Sequence, residues 1–215
     1  MSRKRTPKAI ELRKAPKQSR SRQTYQVILQ GADRIIRRDG IQKLSTNRVA
    51  EESGVSIGSL YQYFPSKEAI VAALIDQVFE VEYQHMKLRI ESISPELGPL
   101  QWLKEILGHC FYRKQEDLVF RKALIDLMEA VGKVPQALRF YRQLSELIWL
   151  NLHLKFKGST TPAISCETTI FFLTYLMSSL AHSSVDENIN SINKELLIDE
   201  IAGVWLNLMK IPYTK

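Results

Sequence analysis

The chain has 215 residues, 45% hydrophobic and 25% charged, with a formal net charge of +7, which suits one small module and one larger folded domain. Its two cysteines, Cys110 and Cys166, form no C-x-x-C pair; they give no support to a metal site and read as small apolar groups in a reducing, cytoplasmic setting. No nucleophile elbow, phosphate-cradling glycine loop or H-E-x-x-H motif is present, so no catalytic residue, metal or cofactor is expected.

Charge is segregated along the chain. Residues 1–67 hold 15 Lys/Arg against 5 Asp/Glu, whereas residues 68–215 hold 15 against 18. A basic third joined to a mildly acidic remainder is the electrostatic footprint of a phosphate-bearing partner. Residues 1–20 read as a basic flexible tail, because Arg3 to Arg22 contains nine cations and one acid, Glu11, with prolines at 7 and 16. Such a segment has too little apolar content to fold alone. It serves either as an added phosphate or minor-groove contact or as a solubilising terminus. No apolar run follows its charges, so it does not read as a targeting peptide.

The first helix is expected over 21–38, where Val27, Ile28, Gly31, Ala32, Ile35 and Ile36 recur at helical spacing. Asp39-Gly40 stops it. The next stretch, STNRVAEESGVSIGSLYQYFPSKE from Ser45 to Glu68, spells out a helix-turn-helix. Ser45 or Thr46 caps a short helix whose Val49 and Ala50 face inward. Gly54 supplies the left-handed turn and Val55 fills the space beneath it. Ser56 caps a second short helix with Leu60 and Phe64 inward, leaving Ile57, Gly58, Ser59, Tyr61, Gln62 and Tyr63 facing outward. Small residues at its front admit the backbone to a major groove, and hydroxyl and amide groups behind them reach phosphates or base edges. Pro65 ends this helix and Ser66 caps the following one. Lys67, in that helix's first turn, runs against the dipole unless an anion lies nearby.

This stretch closely resembles the DNA-binding region of the tetracycline repressor (TetR) family. The resemblance rests on Ala50, Gly54-Val55-Ser56, Gly58-Ser59-Leu60-Tyr61, Tyr63-Phe64 and Ser66-Lys67-Glu68, and it covers roughly residues 21 to 75. It implies a helix-turn-helix domain over 21–67 that binds double-stranded DNA, and a helical effector-binding and dimerisation domain over 68–215. It further implies a homodimer on a palindromic operator, in most cases a repressor released by a small molecule. On that reading Thr46, Asn47, Ser59, Tyr61 and Tyr63 anchor to phosphates and Lys67 clamps the backbone. Ile57, Gly58 and Gln62 approach base edges, Ile57 against a thymine methyl and Gln62 by hydrogen bonds. Ile57 and Gly58 offer few hydrogen bonds, so DNA shape carries part of the specificity.

Beyond Ser66 the pattern is helical throughout. A long helix runs to about Glu91 with Ile70, Leu74, Val78 and Phe79 on one side, and 92–99 is a connection rich in proline. Five further periodic stretches follow at 99–113, 117–131, 134–157, 163–184 and 192–209, separated by Gly132, Gly158 and the polar run Ser183 to Ser191. The fold class is therefore all-α, with about nine helices: three for DNA and about six behind them.

Thr168 to Ala181 carries no charge but is too short for a membrane span. In the resembled family the last two helices form the dimer interface, and this stretch, with the wide apolar face of Leu197, Ile201, Val204, Trp205 and Leu208, suits that role through 163–184 and 192–209; the competing reading is that both are ordinary core helices. An effector pocket, implied by the resemblance, would be lined by Trp102, Ile106, His109, Phe120, Leu124, Met128, Leu144, Trp149 and Phe172, and would take a flat or lipophilic molecule. The competing reading of each of these residues is plain core. Two other functions fit the same residues: a non-specific or architectural DNA-binding protein, and an orphan regulator controlled by a protein partner.

Removal of residues 1–20 is expected to flatten the salt dependence of DNA affinity. Titrating one duplex at several salt concentrations measures it, and an unchanged slope shows that the tail makes no phosphate contact.

Overall fold

The computed structural model describes residues 19–111, 115–156, 165–183 and 193–213. The basic tail through residue 18, the separator at Gly158 and the polar run after Ser183 lie outside them. The described residues form helices α1 (Ser19–Asp39), α2 (Thr46–Glu52), α3 (Ile57–Tyr63), α4 (Lys67–Ser92), α5 (Gly98–Phe111), α6 (Gln115–Met128), α7 (Val134–Phe156), α8 (Cys166–Ser183) and α9 (Lys194–Leu208). Single 3-10 turns at Ile41–Lys43 and Pro95–Leu97 complete the order, and no strand occurs among the described residues. The all-α class holds, with element ends within a few residues of expectation.

The chain divides into two compact units, and the division differs from the expected break at residue 67. The first unit runs through Val78 and also takes 119–134; the second comprises 79–118 and 135 onward. Two physical facts account for this. α4 contains no glycine or proline that could break it, so the helix passes from one unit into the other. Its segment Ala69–Ile75 is buried on every side, more than the single stripe Ile70–Leu74–Val78 implied, because a helix that is apolar all round needs packing all round.

In the first unit α1 supplies Ile28, Leu29, Ala32, Ile35 and Ile36 to a core shared with Val49 and Ala50 of α2, Leu60 of α3, Phe64, and the buried start of α4. Tyr25 stacks on Phe64 with ring centroids 5.1 Å apart, and burial raises its phenol above the ordinary value. The latter part of α6 adds Phe120, Leu124 and Met128. The Arg37 guanidinium lies 3.9 Å over the Phe120 ring, and Lys133 pairs with Asp76.

In the second unit α5 packs along α9, joined by the Lys104–Asp199 ion pair. Trp102, Leu103, Ile106 and Leu107 of α5 and Ala202, Trp205 and Leu206 of α9 are fully buried. Phe140, Leu144, Ile148 and Leu152 form the inward stripe of α7, with Phe79 stacked on Phe140 at 5.0 Å.

Gly31 of α1 lies against Ser53, just past the end of α2. A Cβ there would stand 2.1 Å from Ser53 Oγ and 3.3 Å from Ser53 Cβ. Ser53 Oγ is itself buried with no hydrogen-bond partner among the described residues. Gly31→Ala should destabilise the protein by about 1 kcal/mol or more, since overpacking outweighs the gain in helix propensity. Denaturant midpoints check this, and Ser53→Ala in the same chain should restore most of the loss by removing the obstructing oxygen.

Candidate nucleic-acid interface

Each helix of the helix-turn-helix is opened by a serine. Ser45 Oγ accepts from the Arg48 amide at 3.3 Å, which settles the cap of α2 on Ser45, and Ser56 Oγ accepts from the Ser59 amide at 3.0 Å. Between them Gly54 adopts φ 64°, a conformation that a Cβ resists. Its amide donates to Glu51 O at 3.1 Å and the Val55 amide donates to Ala50 O at 3.0 Å. The turn is thus locked by backbone bonds from both of its residues. Phe64 closes α3, its amide donating to Leu60 O at 2.9 Å, and Ser66 Oγ accepts from the Ala69 amide at the start of α4.

The outward face of α3 is Ile57, Gly58, Tyr61 and Gln62, all exposed, with Ser59 half-buried beside them. Ile57 and Tyr61 are 40% and 39% exposed, which is high for groups of their apolar area. The Tyr61 hydroxyl lies 3.1 Å from Thr46 Oγ1. That bond ties the first turn of α2 to the middle of α3 and holds two hydroxyls side by side at the surface. Asn47 is exposed next to Thr46. At Gly58 a Cβ would meet only Ser56 Oγ, at 3.9 Å. Neither packing nor backbone requires glycine there, so its bareness favours an outside surface that must come close.

Tyr63 departs from expectation. It is 8% exposed and lies edge-on to Tyr25, with centroids 6.4 Å apart. Three residues after Leu60, it stands on the flank of the buried stripe, and α1 covers that flank. Its ring faces the core, and the outward set of α3 is smaller by one than the sequence implied.

Charge near this face sorts into two groups. Arg34 and Arg38 of α1 both bind Glu52, at 2.9 and 3.0 Å, and Arg38 and Arg48 both bind Asp39, at 3.0 and 2.6 Å. Hydrogen bonds from Arg34 and then Arg38 hold the Glu52 carboxyl below its ordinary range. Asp39 is lowered in the same way, mostly by Arg38. Glu52 ends α2, where a negative charge opposes the dipole, and the two arginines offset that. Arg37 pairs with Asp33. No ion pair among the described residues engages Arg20, Arg22, Lys43 or Lys67. Among the described residues of this unit's DNA-binding part, the cations outside ion pairs therefore sit at the start of α1, in the turn before α2 and at the start of α4. Lys43 was missed in the sequence; the signal available was a cation two residues before the serine cap.

The nine residues expected to line a pocket are divided between the two units. Phe120, Leu124 and Met128 belong to the first unit, while Trp102, Ile106 and Leu144 are fully buried core of the second. Trp149 stacks on His153 at 4.2 Å. Phe172 is 55% exposed, which removes it from any interior pocket: it projects from the side of α8 opposite buried Leu173 and Met177. His109 alone of the nine borders a described cavity of the second unit, about 570 Å³, whose walls are otherwise Arg89, Gln101, Lys104, Glu105, Gly108, Glu195, Ile198 and Asp199. Those walls are charged and polar where an aromatic lining was expected. Among the described residues no cluster could hold a metal ion, and no helix is long and apolar enough to cross a membrane.

Comparison with known proteins agrees with this geometry. Residues 28–74 match the family model described as bacterial regulatory proteins, tetR family. A nucleoid occlusion factor, SlmA, of Actinobacillus pleuropneumoniae serotype 5b is 40% identical over 65 residues, 30% of this chain and 32% of that protein. The transcriptional regulator TtgR of Pseudomonas putida is 29% identical over 91 residues, 42% of each chain. The chain thus spans about a third of the length of the first of these relatives. The fold likeness extends further. The fatty acid degradation regulator FadR of Bacillus halodurans superposes with a TM-score of 0.60 at 15% identity, covering 85% of this chain and 94% of that one. The multidrug binding protein EbrR, solved with malachite green, superposes with a TM-score of 0.55 at 17% identity over 88% and 98% of the two chains. Over residues 28–74 the N-terminal helix-turn-helix domain is thus one of the tetR family of bacterial regulatory proteins.

Proposed function

We propose that the protein is a sequence-specific DNA-binding transcriptional regulator that acts as a homodimer on a palindromic operator, as a repressor released by a small molecule. The observation that carries the DNA reading is the outward face of α3. Ile57, Gly58, Tyr61 and Gln62 stand exposed on a helix whose other side is packed, and Lys43 and Lys67, in the turn before α2 and at the start of α4, are in no ion pair among the described residues. Thr46, Asn47, Ser59, Tyr61 and Lys67 anchor the phosphate backbone, while Ile57, Gly58 and Gln62 meet base edges.

The dimer reading is supported by α8 and α9. Phe171, Phe172 and Tyr175 of α8 are each more than half exposed, as are Leu196 and Val204 of α9. The three aromatic rings of α8, which lie against one another, suit a contact surface. A two-fold axis through it would present two copies of α3 to two half-sites about one helical turn apart, or a multiple of that. The effector is expected in the second unit, and the charged walls of the 570 Å³ cavity favour a polar molecule over the lipophilic one expected from aromatic content. The multidrug binding of EbrR supports small-molecule control by analogy of fold.

Selection of random duplexes at physiological salt tests the reading. An enriched palindrome supports a dimeric regulator, whereas retention without enrichment supports an architectural DNA-binding protein. Tyr61→Ala should weaken binding to the enriched duplex by about 1–3 kcal/mol; unchanged affinity in a fluorescence anisotropy titration rules out this placement of the recognition helix. Gly58→Ala should separate stability from function. It is expected to raise unfolding stability by up to about 1 kcal/mol, because alanine is the better helix former, and to lower DNA affinity by blocking close approach. Equal affinity in the same titration would show that the backbone at Gly58 stays clear of the groove.

A further inference from the structure

Counted from sequence, Arg48 is one more cation on the DNA-facing helix pair. Its guanidinium is instead engaged by the turn that precedes α2. One terminal nitrogen, Nη2, donates to Asp39 Oδ2 at 2.6 Å, and the other, Nη1, donates to the Lys43 carbonyl at 3.1 Å. A planar guanidinium holds two such acceptors in one geometry. Arg48, within α2, thus bridges the last residue of α1 to the turn between the two helices. Backbone bonds close the turn itself: the Gly40 amide donates to Ile36 O, the Lys43 amide to Gly40 O and the Leu44 amide to Ile41 O, each at 3.1 Å. Leu44 is buried beneath it. The amide and the carbonyl of Lys43 are therefore both held, while its side chain is exposed and enters no ion pair among the described residues.

Lys43 stands three residues before Thr46, whose hydroxyl lies 3.1 Å from that of Tyr61, so the turn borders the exposed face of α3. A lysine is a point charge on a flexible stem and binds a phosphate without a fixed angle of approach. We propose that Lys43 is a phosphate contact and that Arg48 is its positioning residue: the guanidinium meets no phosphate itself and holds the turn that presents the Lys43 ammonium. To reach a phosphate, Arg48 would have to give up a charge-assisted bond of 2.6 Å to Asp39 and release the Lys43 carbonyl with it. All of these residues belong to the first unit. The proposal rests on the DNA-binding reading above.

Lys43→Gln, Arg48→Met and the double variant test it, with affinity for the enriched duplex titrated at several salt concentrations. Each single substitution should weaken binding about fivefold at physiological salt and lower the salt slope by about 1 per bound subunit, as for one lost phosphate contact. The double variant should lose no more than Lys43→Gln alone, because residues that act through one contact are not additive. A double variant whose slope falls by about 2 per subunit makes Arg48 a phosphate contact in its own right and overturns the positioning role. A weaker Arg48→Met complex with an unchanged slope makes Arg48 a structural brace only, and an unchanged affinity removes it from DNA binding. Either result overturns the proposal, as does an unchanged slope for Lys43→Gln. If Arg48→Met is not helical by circular dichroism, Asp39→Ala replaces it. That substitution breaks the bridge without deleting a cation, so the slope should fall through Lys43, and tighter binding overturns the proposal. A wild-type protein that enriches no duplex overturns the DNA-binding reading and this proposal with it, whereas a tight wild-type complex with additive losses overturns this proposal alone.

Discussion

A helix of seven residues does not hold itself together in water, because nucleation fixes several residues for each hydrogen bond gained. Both helices of the DNA-facing pair, α2 and α3, are that short. Everything else in the first unit follows from this constraint. Serine caps satisfy the first amides of each helix, the Gly54 turn satisfies the last carbonyls of α2, and α1 and the start of α4 supply the buried surface that neither short helix could provide. The Thr46–Tyr61 bond works in the same direction from the solvent side. A surface that must match a duplex to within an ångström can then be built from two helices that would be unfolded in isolation.

The same economy governs charge. The basic third of the chain does not offer all its cations to DNA, because Arg34, Arg38 and Arg48 are held by Glu52 and Asp39 in a continuous network between α1 and α2. Exposed pairs of this kind contribute little each, but the network orients α2 on α1 and removes those arginines from the pool of free positive charge. The cations that remain unpaired among the described residues, Arg20, Arg22, Lys43 and Lys67, lie at the starts of α1 and α4 and in the turn before α2. A count of cations from sequence overstates how many are free to meet a phosphate and says nothing of where they are concentrated.

The helix-turn-helix was legible because its determinants are local: caps, a left-handed glycine, and i, i+4 apolar pairs all act within a few residues of one another. What was not legible depends on partners distant in sequence. Tyr63 reads as outward by spacing alone, and only the position of Tyr25 on α1 turns it inward. Phe120, Leu124 and Met128 look like their aromatic and aliphatic neighbours in the second half of the chain, yet they belong to the first unit through contacts such as Arg37 over Phe120. Phe172 sits in a run with no charge, where periodicity cannot say which apolar residue faces in. Spacing alone could not say which of these apolar residues share a wall, and the cavity that His109 borders in the second unit has charged walls.

α4 is where these two kinds of information meet. Its start is written locally, by Ser66 and the proline before it, whereas at its end the local signals of Ser92 and Pro95 are joined by a lysine more than sixty residues away, whose ammonium donates to the last carbonyls.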